Sequence, residues 1–215
     1  NLSYIVLAES IAKNAEKIIP SLKDKIVGIS FPYFFNKMET KHIGKEGIIN
    51  FCVVGLSSAR KNIPYLKKLT VFFDKIYPEN KNFSLSFAGK IIDLNFFNAM
   101  SNKEYVLKNT LSMSMISSEQ RDKVIKDSIY TLITYQLDSY KLIANGSFMD
   151  SISFETPMIA IRNNYIEAYF KKYGNIGYLC ESYEELEEKV NAVLNNFPTE
   201  EYYQQIENIK RSEEH

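Results

Sequence analysis

Apolar runs of strand length alternate along this chain with segments whose apolar positions recur at helical period. The strand-like runs are Tyr4–Ala8, Lys25–Ile29, Ile48–Gly55, Phe83–Gly89, Thr110–Ile116, Ile129–Tyr135, Pro157–Ile161 and Ile176–Cys180. Between them, Ile63–Ile76, Leu94–Asn102, Ser118–Lys126, Phe148–Glu155 and Glu184–Leu194 read as helices. Near-continuous apolar strands separated by amphipathic helices predict an α/β fold, a doubly wound parallel sheet with helices on both faces. No internal repeat or low-complexity tract interrupts the series.

The pattern breaks once. Phe31–Gly47, "FPYFFNKMETKHIGKEG", mixes proline, glycine and charge without a period and reads as a connector centred on residues 36–46. Residues 47–198 then hold a complete series of β-α units, the size of one doubly wound domain. Residues 1–35 form a short β-α-β unit that cannot bury its own faces. Together with an opening that lacks methionine, this predicts a remnant of a preceding domain and a chain cut from a longer one. Residues 199–215 are polar, with Tyr202, Ile206 and Ile209 spaced as one narrow apolar stripe of a terminal helix.

Composition narrows the partners. The chain has 26 basic and 26 acidic residues, so it has no long-range field for nucleic acid or an anionic membrane, and any affinity for phosphate must be local. No run approaches the roughly 18 apolar residues of a membrane span, and the opening lacks the flank and length of a signal peptide. Cys52 and Cys180 lie far apart in or beside apolar runs, as buried free thiols of a reducing compartment do. A cytoplasmic location follows, with at most peripheral contact at the inner face of a membrane. His42 and His215 are not in metal-ligand spacing and there is no Asp-x-Asp pair, so no metal cofactor is expected.

Two stretches carry candidate chemistry. In "NGSFMDSISFETPMIAI", Ser147 is placed to cap a helix starting at Phe148, with Gly146 letting the chain turn and a ligand approach. The free amides at such an end point at an anion, and Asp150 lies one turn inside, within reach of ribose hydroxyls. Ser147-x-x-Asp150 equally matches a capping box, which needs no ligand. In "VVGLSSARKNIPYL", Arg60 and Lys61 stand in the turn after a strand and its terminal Gly55, where cations can converge on a diphosphate or be ordinary surface charge.

In this order, those stretches, with "FSLSFAGK", "MISSEQRDKVIKDSIYTLITY" and "YGNIGYLCESYEELEEKVNAVL", resemble the C-terminal, nucleotide-sugar-binding domain of GT-B fold glycosyltransferases over nearly the whole chain. The resemblance implies one Rossmann-like half of a GT-B fold. It implies that Arg60 and Lys61 neutralise the donor diphosphate, with Lys61 the better match, and that the turn at Gly146, Ser147 and Phe148 holds the distal phosphate. Asp150, seven residues before Pro157, matches the acid that holds ribose, and Ser117 and Ser118 match the loop that contacts the base. The first acid of the family's pair falls on Leu142 and is absent, which leaves the sugar-holding group and the stereochemical class unassigned. Glu167 is placed in a loop that could reach the site, or on plain surface.

The implied activity is transfer of a sugar from a nucleotide-diphosphate sugar to an acceptor hydroxyl, as in bacterial polysaccharide biosynthesis. The saccharide or lipid-linked acceptor would be met through the preceding domain, which would also bring the general base. No catalytic residue is assigned in this chain. A GT-B sugar-nucleotide epimerase or hydrolase, or a non-catalytic Rossmann-like module, remain the alternatives.

Overall fold

The computed structural model describes residues 2–33, 47–59, 61–135 and 141–211. The expected connector at 36–46, Arg60, His42 and His215 lie outside the described residues. In chain order the elements are β1 (Tyr4–Val6), α1 (Glu9–Ile18), β2 (Ile26–Gly28), β3 (Ile49–Val54), α2 (Ile63–Ile76), β4 (Phe83–Ala88), α3 (Leu94–Ser101), α4 (Ser118–Lys126), β5 (Tyr130–Ile133), α5 (Gly146–Ser153), β6 (Met158–Ile161), α6 (Asn164–Tyr173), β7 (Gly177–Cys180), α7 (Tyr183–Asn195) and α8 (Thr199–Arg211).

Strands β1 and β2 pair as a small parallel sheet, while the main sheet runs β4-β3-β5-β6-β7, parallel throughout. The chain winds outward from β3 to β4, then returns to the other side of β3 for β5. The crevice between the carboxyl ends of β3 and β5 is therefore the topological switch point, where ligands of such sheets bind.

Burial on both faces explains why the strand sequences are largely apolar, with only Asn50, Ser84, Ser86 and Thr131 polar in β3, β4 and β5. On β3, Phe51 and Val53 face one core with α2, α3 and α7, whereas Cys52 and Val54 face the other with α4. The same period of two splits β6, with Ile159 and Ile161 on the first side and Met158 and Ala160 beside α5 and α6 on the second. The N-terminal unit packs on this second side through Ile11, and Asn14 accepts from Asn164 on α6 at 3.1 Å.

Three expectations need correction. Thr110–Ile116 is not a strand: a 3-10 turn at Lys108–Thr110 leads into irregular chain. Its alternation suits a strand, but the free edge of β4 is already taken. Leu85 donates to Tyr105 O at 2.7 Å, Leu107 donates to Leu85 O at 2.9 Å, and Thr110 Oγ1 accepts from Phe87 N at 3.1 Å. The helix expected from Phe148 begins at Gly146. Finally, the segment after β6 is a full helix, capped by Asn163 and ended by Gly174 at φ 82°, so Glu167 is helical rather than in a loop.

The apolar stripe expected in the tail is present. Tyr202 and Ile206 enter the core under α7, and Ile209 enters the core on the α6 side. Among the described residues no helix is long and apolar enough to cross a membrane. Because Tyr202 is fully buried against Tyr130 and Phe197, Tyr202→Ala is expected to cost about 3 to 5 kcal/mol in urea denaturation, the range for removing a buried aromatic ring. A loss below about 1 kcal/mol would mean that α8 is not part of the cooperative unit.

Candidate functional site

The site assembles at the switch point. Gly55 follows β3 at φ 87°, a left-handed conformation that suits glycine. A Cβ there would stand 2.5 Å from Ser147 Oγ, and one on Gly89, after β4, would stand 2.1 Å from Gly55 O. The ends of β3 and β4 and the start of α5 thus meet with no room for a side chain. Tyr135, beyond β5, closes the corner, its hydroxyl lying in hydrogen-bond reach of Val54 O at 3.2 Å and Ser147 Oγ at 2.7 Å.

Helix α5 is capped by Asn145, not by Ser147. Asn145 Oδ1 accepts from Phe148 N at 3.1 Å. The Ser147-x-x-Asp150 box does not form, because both side chains are engaged elsewhere. The phenyl ring of Phe148 is fully buried against Tyr165 and Tyr169. With its amide taken by the cap, Gly146 and Ser147 are left to offer amides at the helix start. Among the described residues a Cβ on Gly146 would meet nothing within 4 Å, so this glycine fronts open space there and its helical backbone does not require glycine. Asn145 itself is buried, and its Nδ2 has no partner among the described residues.

Lys61 stands in the turn that follows β3 at the same edge, and Asn62 braces that turn. Asn62 donates to Ser57 Oγ and accepts from Ser58 N, each at 3.2 Å. Ser57 in turn accepts from Ile92 N at 3.0 Å and donates to Lys90 O at 2.9 Å, fastening the turn to the end of β4.

Asp150 faces sideways into a groove between α4 and α5. The groove is a cavity of about 270 Å³ bounded by Arg121, Phe154 and the strap Phe31–Pro32–Tyr33. Asp150 Oδ1 accepts a hydrogen bond from the Tyr33 hydroxyl and lies 3.7 Å from an Arg121 guanidinium nitrogen. Burial raises the Asp150 pKa from its ordinary value, and the Tyr33 hydroxyl and Arg121 charge counteract only part of that. Burial also pushes the Tyr33 phenol up, reinforced by the carboxylate it serves.

The remaining candidates separate. Ser117 is the cap of α4, its Oγ accepting from Gln120 N at 3.2 Å, and Ser118 opens that helix; neither lines the groove at Asp150. Glu167 accepts from Arg162 at 3.0 Å and pairs with Lys171 at 2.8 Å. The Lys171 bond is the main reason its pKa is lowered, so it is a fixed carboxylate of an ion-pair cluster. The residue at the position of the missing acid, Leu142, is exposed. Among the described residues no group of three or more His, Cys, Asp or Glu could hold a metal ion.

Sequence reasoning missed Asn145, Tyr135, Arg121 and Tyr33. Asn145 could have been found, since asparagine is as good a cap as serine and stands directly before the glycine. Tyr33 could not, because its partner is 117 positions away and no periodicity links them.

No protein-family model matches the chain, and no curated protein matches it in sequence. Solved structures do match in backbone. A point mutant of S. aureus TarM, in complex with fondaparinux, alpha-GlcNAc-glycerol and UDP, is 16% identical with a TM-score of 0.67 over 96% of this chain and 40% of that one. WaaG, described as a glycosyltransferase involved in lipopolysaccharide biosynthesis, gives 15% identity and 0.67 over 96% of this chain and 57% of its own. The C-terminal domain of the glycosyl transferase group 1 family protein LpcC from Francisella tularensis gives 12% and 0.54, covering 75% of this chain and 82% of that domain. The chain thus spans 40% of TarM and 57% of WaaG. At these identities the likeness establishes the fold, a Rossmann-like half of the GT-B architecture.

The cap assignment predicts that Asn145→Ala lowers unfolding free energy by about 0.5 to 2 kcal/mol in urea melts while Asn145→Asp, an equivalent cap, retains most of it. Equal losses in the two variants would contradict it.

Proposed function

We propose that this chain is the donor-binding half of a glycosyltransferase, holding a nucleotide-diphosphate sugar whose sugar passes to an acceptor hydroxyl. The observation that carries this reading is the corner at Gly55, Gly89 and Ser147. It brings a helix N-terminus to the switch point of a parallel sheet, with Gly146 facing open space. A diphosphate there would accept from the amides of Gly146 and Ser147 and be neutralised by Lys61, with Arg60 as the second cation of the turn. The ribose would take Asp150, and the base would lie toward Ser117 and Ser118.

In the reaction, the bond between the anomeric carbon and the diphosphate oxygen breaks and its electron pair leaves with the diphosphate. The acceptor oxygen bonds to the anomeric carbon and gives its proton to a base outside the residues assigned here. The leaving group gains charge as the bond breaks, so the helix amides and Lys61 bind the transition state more tightly than the ground state. No metal is required, because the turn and helix end supply the positive charge. The likeness to WaaG, described as involved in lipopolysaccharide biosynthesis, supports a place in bacterial polysaccharide assembly; a cytoplasmic location and a saccharide or lipid-linked acceptor belong to the same proposal. One observation favours a second reading, a non-catalytic nucleotide-binding module: an exposed leucine stands where the first acid of the pair would be.

UDP, present in the TarM complex, is the first probe, followed by GDP, ADP and CDP. A nucleoside diphosphate is expected to bind without added metal, more tightly than its monophosphate, and without sensitivity to EDTA. Lys61→Ala is expected to weaken the diphosphate by about 1 to 3 kcal/mol in calorimetry, the range for a charge-assisted hydrogen bond, with the melting temperature unchanged. Equal affinity for monophosphate and diphosphate, or an unmoved Lys61→Ala, would return the turn to plain surface.

A further inference from the structure

The Asp150 carboxylate is buried and already has two partners, one of them from a distant part of the chain. We infer that the strap Phe31–Pro32–Tyr33 is an internal competitor for the ribose seat. The Tyr33 hydroxyl occupies the carboxylate that nucleotide hydroxyls would use, so nucleotide binding and strap release are one event. The inference rests on the donor-binding reading above and adds to it a control of access that no diphosphate contact supplies.

The geometry supports exclusion rather than shared occupancy. Asp150 is 7% exposed, and the groove that opens on it is bounded by the strap itself. A ribose needs the carboxylate oxygen to which Tyr33 donates, and it needs the space that Tyr33 and Phe31 fill. The two rings brace each other at 5.6 Å between centroids, and both are only partly buried against the α5–α6 core. Their hold on the groove therefore depends largely on the phenol–carboxylate bond. That bond serves the strapped state well, because a buried carboxylate left with Arg121 alone at 3.7 Å would be under-solvated. Two ribose hydroxyls would satisfy it equally, so exchanging one donor set for the other leaves no bare charge at either end state.

The diphosphate position is a separate matter. It lies at the first turn of α5, whereas the Tyr33 hydroxyl donates to Asp150 one turn further along, so an anion without ribose would bind with the strap in place. A ligand with ribose must in addition displace the strap, so its apparent affinity is reduced by the fraction of molecules whose strap is open.

The test compares the unaltered chain with Tyr33→Phe, which keeps the ring and removes the donor. UDP, GDP, ADP, CDP and inorganic pyrophosphate are titrated by calorimetry, and hydrogen exchange of peptides covering 29–33 is followed with and without ligand. The expected result is that Tyr33→Phe binds the preferred nucleoside diphosphate about 10-fold to 100-fold more tightly, the effect of removing one charge-assisted hydrogen bond from the competing state. Pyrophosphate affinity stays the same, and saturating nucleotide, but not pyrophosphate, speeds exchange in the strap of the unaltered chain. In the Asp150→Asn background the Tyr33→Phe gain should shrink to less than about 3-fold, since the two act through one bond. Nucleotide binding that is unchanged or weaker in Tyr33→Phe overturns the inference, as does parallel tightening of nucleotide and pyrophosphate. If pyrophosphate binds and the strap behaves otherwise, only the strap inference falls. If neither pyrophosphate nor any of the four nucleotides binds either protein, the donor-binding reading falls and takes the inference with it.

Discussion

Where two parallel strands and a helix converge on one point, the closest approach of their backbones sets everything built above them. Here that approach is between Gly55 and Gly89. A Cβ on Gly89 would meet the carbonyl of Gly55 at 2.1 Å, and a Cβ on Gly55 would meet Ser147 Oγ at 2.5 Å. The first clash is with backbone, which cannot rotate aside as a side chain can. Without those two glycines the ends of β3 and β4 would separate, the Ser57–Ile91 bridge would lose its register, and the turn that presents Lys61 would move with it. The start of α5 would lose its seat against β3 as well, because Tyr135 ties Ser147 to the Val54 carbonyl. The candidate phosphate site thus depends on a packing constraint among main-chain atoms more than on any charged residue.

The sheet was legible because it is buried on both faces. Ile49–Val54 and Phe83–Ala88 bury every residue, and that burial shows as a mostly apolar run broken only by the small polar residues Asn50, Ser84 and Ser86. The limits of α2 and α4 were legible for a different reason: Pro64 stands in the first turn of α2, and Ser117 caps α4. The failures have a physical cause in each instance. Leu111–Met115 alternates as a strand does, but alternation states only that a strand is possible, whereas hydrogen-bonding partners decide, and Tyr105–Leu107 had taken the edge of β4. At α5 the serine and acid of "NGSFMD" matched a cap, yet the asparagine two residues earlier made it. Local pattern ranks candidate partners without saying which of them tertiary structure has already engaged.

The same limit applies to the candidate site. Gly55 and Ser147 were recognisable as a pair of strand and helix ends, and the structure brings them into contact. Asp150 was recognisable as an acid one turn into a helix, but its two partners come from α4 and from the N-terminal strap, and neither follows from spacing. Glu167 was misplaced because the helix containing it went unrecognised, although Asn163 and Gly174 bracket it with the residues such helices use.

Helix α5 is held so firmly that it can act only as a fixed platform. Ser151 Oγ accepts from Thr131 on β5 at 2.8 Å and donates to Ser147 O at 2.9 Å, which ties the first turn to the sheet. At the far end Glu155 is buried at φ 49°, a conformation that costs a non-glycine residue energy, and its carboxylate faces Lys210 of α8 at 3.9 Å. A glycine would relieve the backbone but lose that charge pair, so retaining glutamate couples the end of α5 to the C-terminal helix. With both ends fixed, changes at this site must come from what lies against the helix. In a chain of zero formal net charge, an exposed carboxylate one turn from a candidate phosphate site would repel the proposed ligand. Burying Asp150 beside Arg121 and giving it a hydroxyl partner keeps its charge local, and under the proposed function the groove would discriminate by hydroxyl groups while the helix end would discriminate by charge.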